Sequence, residues 1–378
     1  MLKKVMKLVI SFIVLVTALT AVFSAMYTSV AYSRHVAAPL TKFPYVQGNR
    51  ILNGSGQPFY LRGAEIESDL DNMAAWTTAP HITDVLNSTV FTAMVQQWKM
   101  NALRLPLSNW IYAKYTAKYT QLLDQIVNEA NTAGIYVVLN LHDDGRAGSP
   151  YGDLANLPKT EDNDFWKTFA LHYKANPMVI FDLYNEPKDT SWYQWAHGGG
   201  KVDGATVVGH QDLVTTIRSV GAPQIVIAEP GLSGGKQTGW STIGTNTIND
   251  PNVMYSLHVY DYIANPPPQQ DALWGPILNH YPIFYGEWAL LPNGYGIPGY
   301  AHCKHIVPSQ ADQDTINFLN YMGSRQGNWT AWDFEPYHLV QSLKNFAPTT
   351  LDIPWRCGDS SSHAGMGTLV KNYLARGQ

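Results

Sequence analysis

A chain of 378 residues is long enough for one large barrel or two average domains, so length alone leaves the architecture open. Hydrophobic residues make up 45% and charged residues 14%, a balance that suits a well-buried globular core and excludes a disordered chain. The formal net charge is −4 and no basic stretch exists to neutralise a run of phosphates, so no nucleic acid partner is expected.

Lys3, Lys4 and Lys7 precede an apolar stretch from Leu8 to about Met26, and Ser29-Val30-Ala31 supplies small residues for cleavage. Basic, then apolar, then small is the order of a secretory signal. The apolar stretch is long for a signal peptide, and an uncleaved anchor also fits its length. Residues 1–31 are therefore expected to be the signal or anchor, 32–44 a linker, and 45–378 one folded domain outside the cytoplasm. The membrane is a partner only if the first segment is retained. Cys303 and Cys357 are the only cysteines, and an even, minimal count in an exported chain points to one disulfide.

Residues 45–66 read as a hairpin turning at Asn53-Gly54-Ser55-Gly56. Beyond it, short apolar runs rich in β-branched and aromatic residues alternate with longer stretches of helical period. The runs cover 60–64, 102–105, 136–141, 179–184, 225–228, 253–257, 283–285 and 329–332, eight in all. Near-continuous apolar strands are buried on both faces, as in a parallel sheet sheathed by helices. The spacing predicts a helix over 84–99, capped by Thr83, with Val85, Val90, Phe91, Met94, Val95 and Trp98 on one face. Similar patterns predict helices over 119–133, 161–174, 211–220, 269–279, 311–324 and 363–375. Between the fifth and sixth runs, 238–249 is short and rich in Thr and Asn, the weakest helical pattern of the set. Eight strands alternating with helices select an α/β fold, a single closed (β/α)8 TIM barrel, over an open doubly wound sheet.

Functional groups in such a barrel come from the carboxyl ends of the strands. The residues just after the runs are Arg104, His142, Asn185-Glu186, Glu229, His258 with Tyr260, Glu287 and Trp332. Polar groups at the ends of buried strands are costly unless partnered, so their gathering at one face marks a site. Glycoside hydrolysis needs one carboxyl to protonate the departing oxygen and another to attack the anomeric carbon or activate water. Glu186, Glu229 and Glu287 compete for these roles. Glu186 follows Asn185, whose amide suits a sugar hydroxyl. Glu287 follows Gly286, which would allow close ligand approach, and precedes Trp288. Strand-end position by itself does not rank the three. No His-x-His or His-Glu-x-x-His spacing supports a catalytic metal, and no cofactor is expected. Aromatic content of 12%, with 12 Trp and 22 Tyr, is compatible with stacking on sugar rings. Trp110, Trp192, Trp195, Trp240, Trp274 and Trp288 fall near strand-end loops, where about half are expected to line a groove.

These residues, in this order, resemble glycoside hydrolase family 5, a family of retaining barrel glycosidases, over roughly residues 45–375. Arg104, within Asn101-Ala102-Leu103-Arg104-Leu105-Pro106, matches the family's arginine after the second strand, and His142 its histidine after the third. Asn185-Glu186-Pro187 matches the segment that carries the acid/base. His258-Val259-Tyr260 matches the His-x-Tyr of the sixth strand, and Gly286-Glu287-Trp288 the nucleophile strand. Trp332 matches the tryptophan that floors the central sugar site. The segment Asn140-Leu141-His142-Asp143-Asp144 departs from the family's Trp-His pairing, which bears on the neighbouring subsite.

The resemblance implies an endo-β-1,4-glucanase working by double displacement. Glu287 would be the nucleophile, kept ionised by Arg104 and Tyr260; Glu186 would be the acid/base, kept protonated by nearby negative charge. Arg104, His142, Asn185, His258, Tyr260 and Trp332 would bind substrate, and Glu229 would be structural. The two catalytic carboxyls are then expected about 5–5.5 Å apart. Alternatives within the family are a β-mannanase and hydrolases of xyloglucan or β-1,3-glucan. An alternative of another class is a non-catalytic carbohydrate-binding barrel, which has no use for a paired acid and nucleophile. A secreted monomer with a polysaccharide substrate is the resulting expectation, its loops beside Trp332 braced by a Cys303–Cys357 bond.

Overall fold

The computed structural model describes residues 42–72, 76–77, 82–143, 157–188, 190–202, 204–233, 236–237, 239–260, 263–289, 310–336, 338–349 and 364–377. The expected leader, most of the linker, Asp144 and both cysteines, Cys303 and Cys357, lie outside the described residues.

Eight parallel strands close into a barrel: β1 (Arg62–Glu65), β2 (Ala102–Ser108), β3 (Tyr136–Asp143), β4 (Val179–Asp182), β5 (Val226–Ala228), β6 (Val253–Val259), β7 (Ile283–Trp288) and β8 (Asn328–Ala331). Each pairs with the next, and β8 pairs with β1. Every predicted run overlaps one of these strands. Several strands run further at the carboxyl end than apolar character alone suggested: β2 to Ser108, β6 to Val259, β7 to Trp288.

Period-two alternation sorts the strand residues into two sets. Leu103, Leu105, Val137, Leu139, Phe181, Tyr255 and Tyr285 join a large core with helix residues such as Phe91, Leu123, Phe169, Leu213 and Phe318. Their neighbours one residue off, Leu61, Ala102, Val138, Ile180, Ile227, Met254 and Phe284, form a second cluster with Ile51 of the N-terminal sheet, so they face inward. Two residues further along the same inward register come Arg104, Asn140, Asp182, Glu229 and Ser256, all fully buried. A polar layer therefore sits directly above an apolar one.

The lower end is closed by a three-stranded sheet rather than the expected two-stranded hairpin. Arg50–Leu52 pairs antiparallel with Tyr45–Gln47 and with Pro58–Phe59. The predicted turn at 53–56 is present, with Asn53 Oδ1 accepting the N–H groups of Ser55 and Gln57 at 2.9 and 3.0 Å. The extra strand arises at Gly48, whose φ of +61° permits a tight reversal.

Helices follow the strands on the outside. The helix predicted over 84–99 is two pieces, Ile82–Val85 and Ser88–Gln96. Asn87, not Thr83, caps the second: its Oδ1 accepts the N–H groups of Thr89 and Val90, and its Nδ2 donates to the carbonyls of Thr83 and Asp84. Asn109–Ala133 starts ten residues before its predicted N-terminus: a first helical piece, capped by Ser108 Oγ on the Ile111 N–H, runs into the predicted helix across a kink at Tyr115, φ −129° and ψ 35°. Thr160–Tyr173, His210–Ser219, Ala311–Ser324 and Met366–Ala375 lie close to expectation. The 269–279 prediction is again two pieces, Pro267–Trp274 and Ile277–His280. No helix occurs among the described residues between β5 and β6. That segment is pinned instead by Trp240, fully buried, whose Nε1 donates to the Ser256 carbonyl at 2.9 Å.

Candidate active site

The polar layer is organised by Arg104 on β2, which has no exposed surface. Its Nε donates to Asp182 Oδ2 at 2.9 Å; Nη1 donates to Glu287 Oε1 at 2.7 Å and to Glu65 Oε2. Nη2 donates to Asn185 Oδ1 and to Glu229 Oε1, both at 2.9 Å. One guanidinium thus faces four carboxylates from β1, β4, β5 and β7. It cannot neutralise them all, and the groups divide. Burial and the charge of Glu287 push the Glu65 carboxyl well above its ordinary range, against the pull of Arg104. Burial and Glu229 push Asp182 up to about 7. For Glu287 burial also opposes ionisation, but His258, Arg104, His142 and the Tyr260 hydroxyl outweigh it and hold the carboxyl at about 2.

Glu287 is nearly buried at 6% exposure and is gripped on both oxygens. Arg104 takes Oε1, and the Tyr260 hydroxyl donates to Oε2 at 2.6 Å. The β6–β7 pairing shifts register between Leu257 and His258, which sets His258 opposite Glu287. Gly286 is needed for that fit: a Cβ there would stand 2.8 Å from Ser256 Oγ and 2.9 Å from His258 Nε2. The glycine thus makes room for protein side chains, where ligand approach was the expectation.

Glu186 stands across from Glu287 at the end of β4, its side chain 29% exposed. One carboxylate oxygen of Glu186, one of Glu287 and a His258 ring nitrogen all lie within 4.8 Å of one another. His258 Nδ1 is 3.0 Å from Glu186 Oε1 and 3.4 Å from Glu287 Oε2, while Nε2 is 3.1 Å from Glu229 Oε1. Burial disfavours charge on this ring, but Glu229, Glu287 and Glu186 raise its pKa well above the usual histidine value, so it stands as an imidazolium. Glu186 itself adopts φ +43°, a left-handed backbone that costs a non-glycine residue about 1–2 kcal/mol. Its N–H donates to Glu229 Oε2 at 2.9 Å.

His142 has a ring nitrogen within 4.8 Å of carboxylate oxygens of Glu65 and Glu287, and burial lowers its pKa to about 4. A neutral ring with its proton on Nδ1 donates to Asn140 Oδ1 at 3.1 Å and accepts from Asn185 Nδ2 at 3.3 Å. Trp332 follows β8 with 3% exposure. Its Nε1 donates to Glu67 Oε1 at 3.2 Å, and its ring lies 4.4 Å from that of His338 and 6.3 Å, edge to face, from Tyr260. His338 in turn pairs with Asp333 at 2.6 Å.

All eight predicted site residues therefore converge at one barrel mouth. Glu65 and Asp182 were not among the expected residues: Glu65 directly follows the run 60–64 and so carried the same signal as Glu229, whereas Asp182 lies inside the run 179–184, where the strand-end rule does not reach. Glu67, Asp333 and His338 lie on loops and gave none. The tryptophan expectation fails in proportion: Trp195, Trp240, Trp274 and Trp288 are wholly buried, and only Trp110 and Trp192 of the six are partly exposed. An indole near a strand end packs under the surrounding helices as readily as it lines a groove.

Two groups, Glu65–His142–Glu287 and Glu186–His258–Glu287, have donor atoms at metal-ligand spacing. Both share Glu287, whose oxygens already serve Arg104 and Tyr260, and a guanidinium 2.7 Å away would repel a second cation. What the arrangement offers is a carboxyl held at a low pKa with a second, partly exposed carboxyl whose oxygen lies within 4.8 Å of it.

The model of the family described as Cellulase (glycosyl hydrolase family 5) matches residues 52–338. The chain is 24% identical to an endoglucanase of Paenibacillus polymyxa over 346 residues, covering 79% of this chain and 81% of that protein. It is 22% identical to endoglucanase E-5 of Thermobifida fusca over 356 residues, covering 89% of this chain and 65% of that one. Among solved structures, the β-glucanase SdGluc5_26A of Saccharophagus degradans superposes with a TM-score of 0.68 at 21% identity, covering 90% of this chain and 96% of that one. The same β-glucanase has been solved in complex with cellotetraose, with a TM-score of 0.67.

Proposed function

Because the chain belongs to the cellulase family, glycosyl hydrolase family 5, we propose that it is a retaining endo-β-1,4-glucanase with Glu287 as nucleophile and Glu186 as acid/base. One observation carries this reading: carboxylate oxygens of the two residues lie within 4.8 Å, with Glu287 held ionised. Retaining glycosidases keep the pair about 5–5.5 Å apart, whereas inverting ones need roughly 6.5–9.5 Å to admit a water.

In the first step an oxygen of Glu287 attacks the anomeric carbon, the glycosidic C–O bond breaks, and the departing oxygen takes its proton from Glu186. In the second, a water gives a proton to the Glu186 carboxylate and attacks the same carbon, releasing Glu287. Arg104 and Tyr260 fix the attacking carboxylate along its line of approach. Asn185 gives one N–H to His142 and has a second for the sugar 2-hydroxyl. Trp332 supplies an aromatic face beside Tyr260. The endoglucanase relatives, and the cellotetraose seated in a β-glucanase of the same fold, support a β-1,4-glucan over a mannan. Export by the N-terminal segment and a Cys303–Cys357 bond belong to the same reading.

Reducing-sugar release from soluble cellulose derivatives, glucomannan, xyloglucan and laminarin tests the substrate. The cellulose derivatives should be hydrolysed fastest, with products of retained anomeric configuration by NMR. Activity on none of them would favour a carbohydrate-binding barrel, and inverted product would remove Glu287 as nucleophile.

A further inference from the structure

We propose that Glu229 is a positioning residue that holds Glu186 at both ends and so sets it for proton transfer; this rests on Glu186 being the acid/base. Glu229 Oε2 accepts the backbone N–H of Glu186 at 2.9 Å. Glu229 Oε1 lies 3.1 Å from His258 Nε2, and His258 Nδ1 lies 3.0 Å from Glu186 Oε1. A closed ring of three residues thereby ties the main chain of Glu186 to its own carboxyl through a single carboxylate just after β5.

Two further features argue that the ring is under constraint. Glu186 keeps a left-handed backbone, φ +43°, which a residue with a side chain holds only when its surroundings fix it. Glu229 is itself immobilised, with no exposed surface, Arg104 Nη2 on Oε1 at 2.9 Å and the Trp195 indole N–H on its carbonyl at 2.8 Å. Burial opposes charge on Glu229, yet His258, Arg104 and the Glu186 N–H outweigh it and keep the carboxyl below its ordinary range. Every side-chain contact named here is with a donor. An amide in its place would turn an N–H toward at least one of them, donor against donor in a dry pocket, so an isosteric replacement cannot preserve the ring.

The consequence is specific to steps that need a proton from Glu186. A polysaccharide leaves as a poor leaving group and needs that proton; dinitrophenolate leaves without it. In Glu229→Gln, kcat on a soluble β-1,4-glucan should fall about 100-fold with KM little changed. The burst of dinitrophenolate from a dinitrophenyl β-cellobioside should stay within about threefold of the parent rate. Both substrates sample the same folded molecules, so partial misfolding lowers both alike and leaves their ratio intact. Equal losses on the two substrates, or no loss on either, would overturn the proposal. If Glu229→Gln does not fold, Glu229→Asp, which keeps the charge but shortens the reach, is read by the same ratio. Glu186→Ala is the control. If it lacks the leaving-group dependence, the acid/base assignment has failed; if it has it and the Glu229 variant does not, only the positioning role has.

Discussion

Two layers of the barrel interior, one on top of the other, are built from the same strands and the same inward register, yet they obey opposite rules. Below, Ala102, Val138, Ile180, Ile227, Met254 and Phe284 fill the space with apolar atoms and leave nothing to be partnered. Each large side chain there contributes about 1.5–3 kcal/mol of burial. Two residues higher, Arg104, Asp182 and Glu229 are equally buried but charged or polar, and removing them from water is only partly offset by their mutual contacts. The lower layer supplies stability; the upper holds a set of charges that water would otherwise scatter. Separating the two along the barrel axis lets one change without the other.

The largest expected effect falls on the upper layer. Glu287→Ala should lower kcat on the order of 10⁵-fold, as loss of a nucleophile does elsewhere. Its melting temperature at neutral pH should fall while the chain stays folded, since ionised Glu287 stabilises the fold there and its loss leaves the Tyr260 hydroxyl and an Arg104 N–H without their acceptor. A parent-like rate would refute the nucleophile assignment. Phe284→Ala is the counterpart below: urea unfolding should show a loss of about 3–5 kcal/mol, with kcat per folded molecule unchanged. A matching drop in kcat would mean that the layers are coupled.

Arg104→Met tests how far the upper layer depends on its one guanidinium. Removing it takes the ion-pair partner from Glu65 and Asp182 and leaves Glu229 and Glu287 with His258 alone, which should cost about 3–5 kcal/mol at neutral pH. Asp182 already has a folded pKa of about 7, above its unfolded value, so its charge destabilises the fold as pH rises from about 4 toward 7. The variant's deficit, measured by denaturant at pH 5 and pH 7.5, should therefore be smaller at the lower pH. A deficit that does not vary with pH would show that the carboxyls stay ionised.

The smallest expected effect lies at the rim. Burial, with Asp333, Glu67, Asp69 and Asp71, pushes Glu335 up to about 9 from an ordinary 4.5. Below 4.5 folded and unfolded chains both keep this proton, while between 4.5 and 9 only the unfolded chain releases it, which favours unfolding. Glu335→Gln should thus melt with the parent at pH 4 and a few degrees above it at pH 8. The reverse ranking at pH 8 would mean that the carboxylate is paired. Glu287 runs the other way: with a folded pKa of about 2 it stabilises the fold above 4.5, and that contribution is lost as pH falls from 4.5 through 2.

Much of this was written locally. Runs such as 136–141 and 253–257 are too apolar to sit anywhere but in a covered parallel strand, and a polar residue at the end of each points to the mouth. Arg104, His142, Asn185, Glu186, His258, Tyr260, Glu287 and Trp332 were all legible on that basis together with their order. Helix starts were less so. Asn87 and Ser108 cap by turning a side chain back onto nearby N–H groups, and Thr83 offered the same chemistry a few residues away.

By itself, then, the sequence determined the eight-strand alternation, the barrel, and which side chains stand at its mouth, because period and polarity are properties of neighbours in the chain. Only the tertiary structure decided which carboxylates meet Arg104, which of Glu186, Glu229 and Glu287 is exposed and which is held, and that four tryptophans near the mouth belong to the core. Those outcomes depend on distances between strands up to 183 residues apart, such as Arg104 and Glu287, and on the desolvation that closure of the barrel imposes.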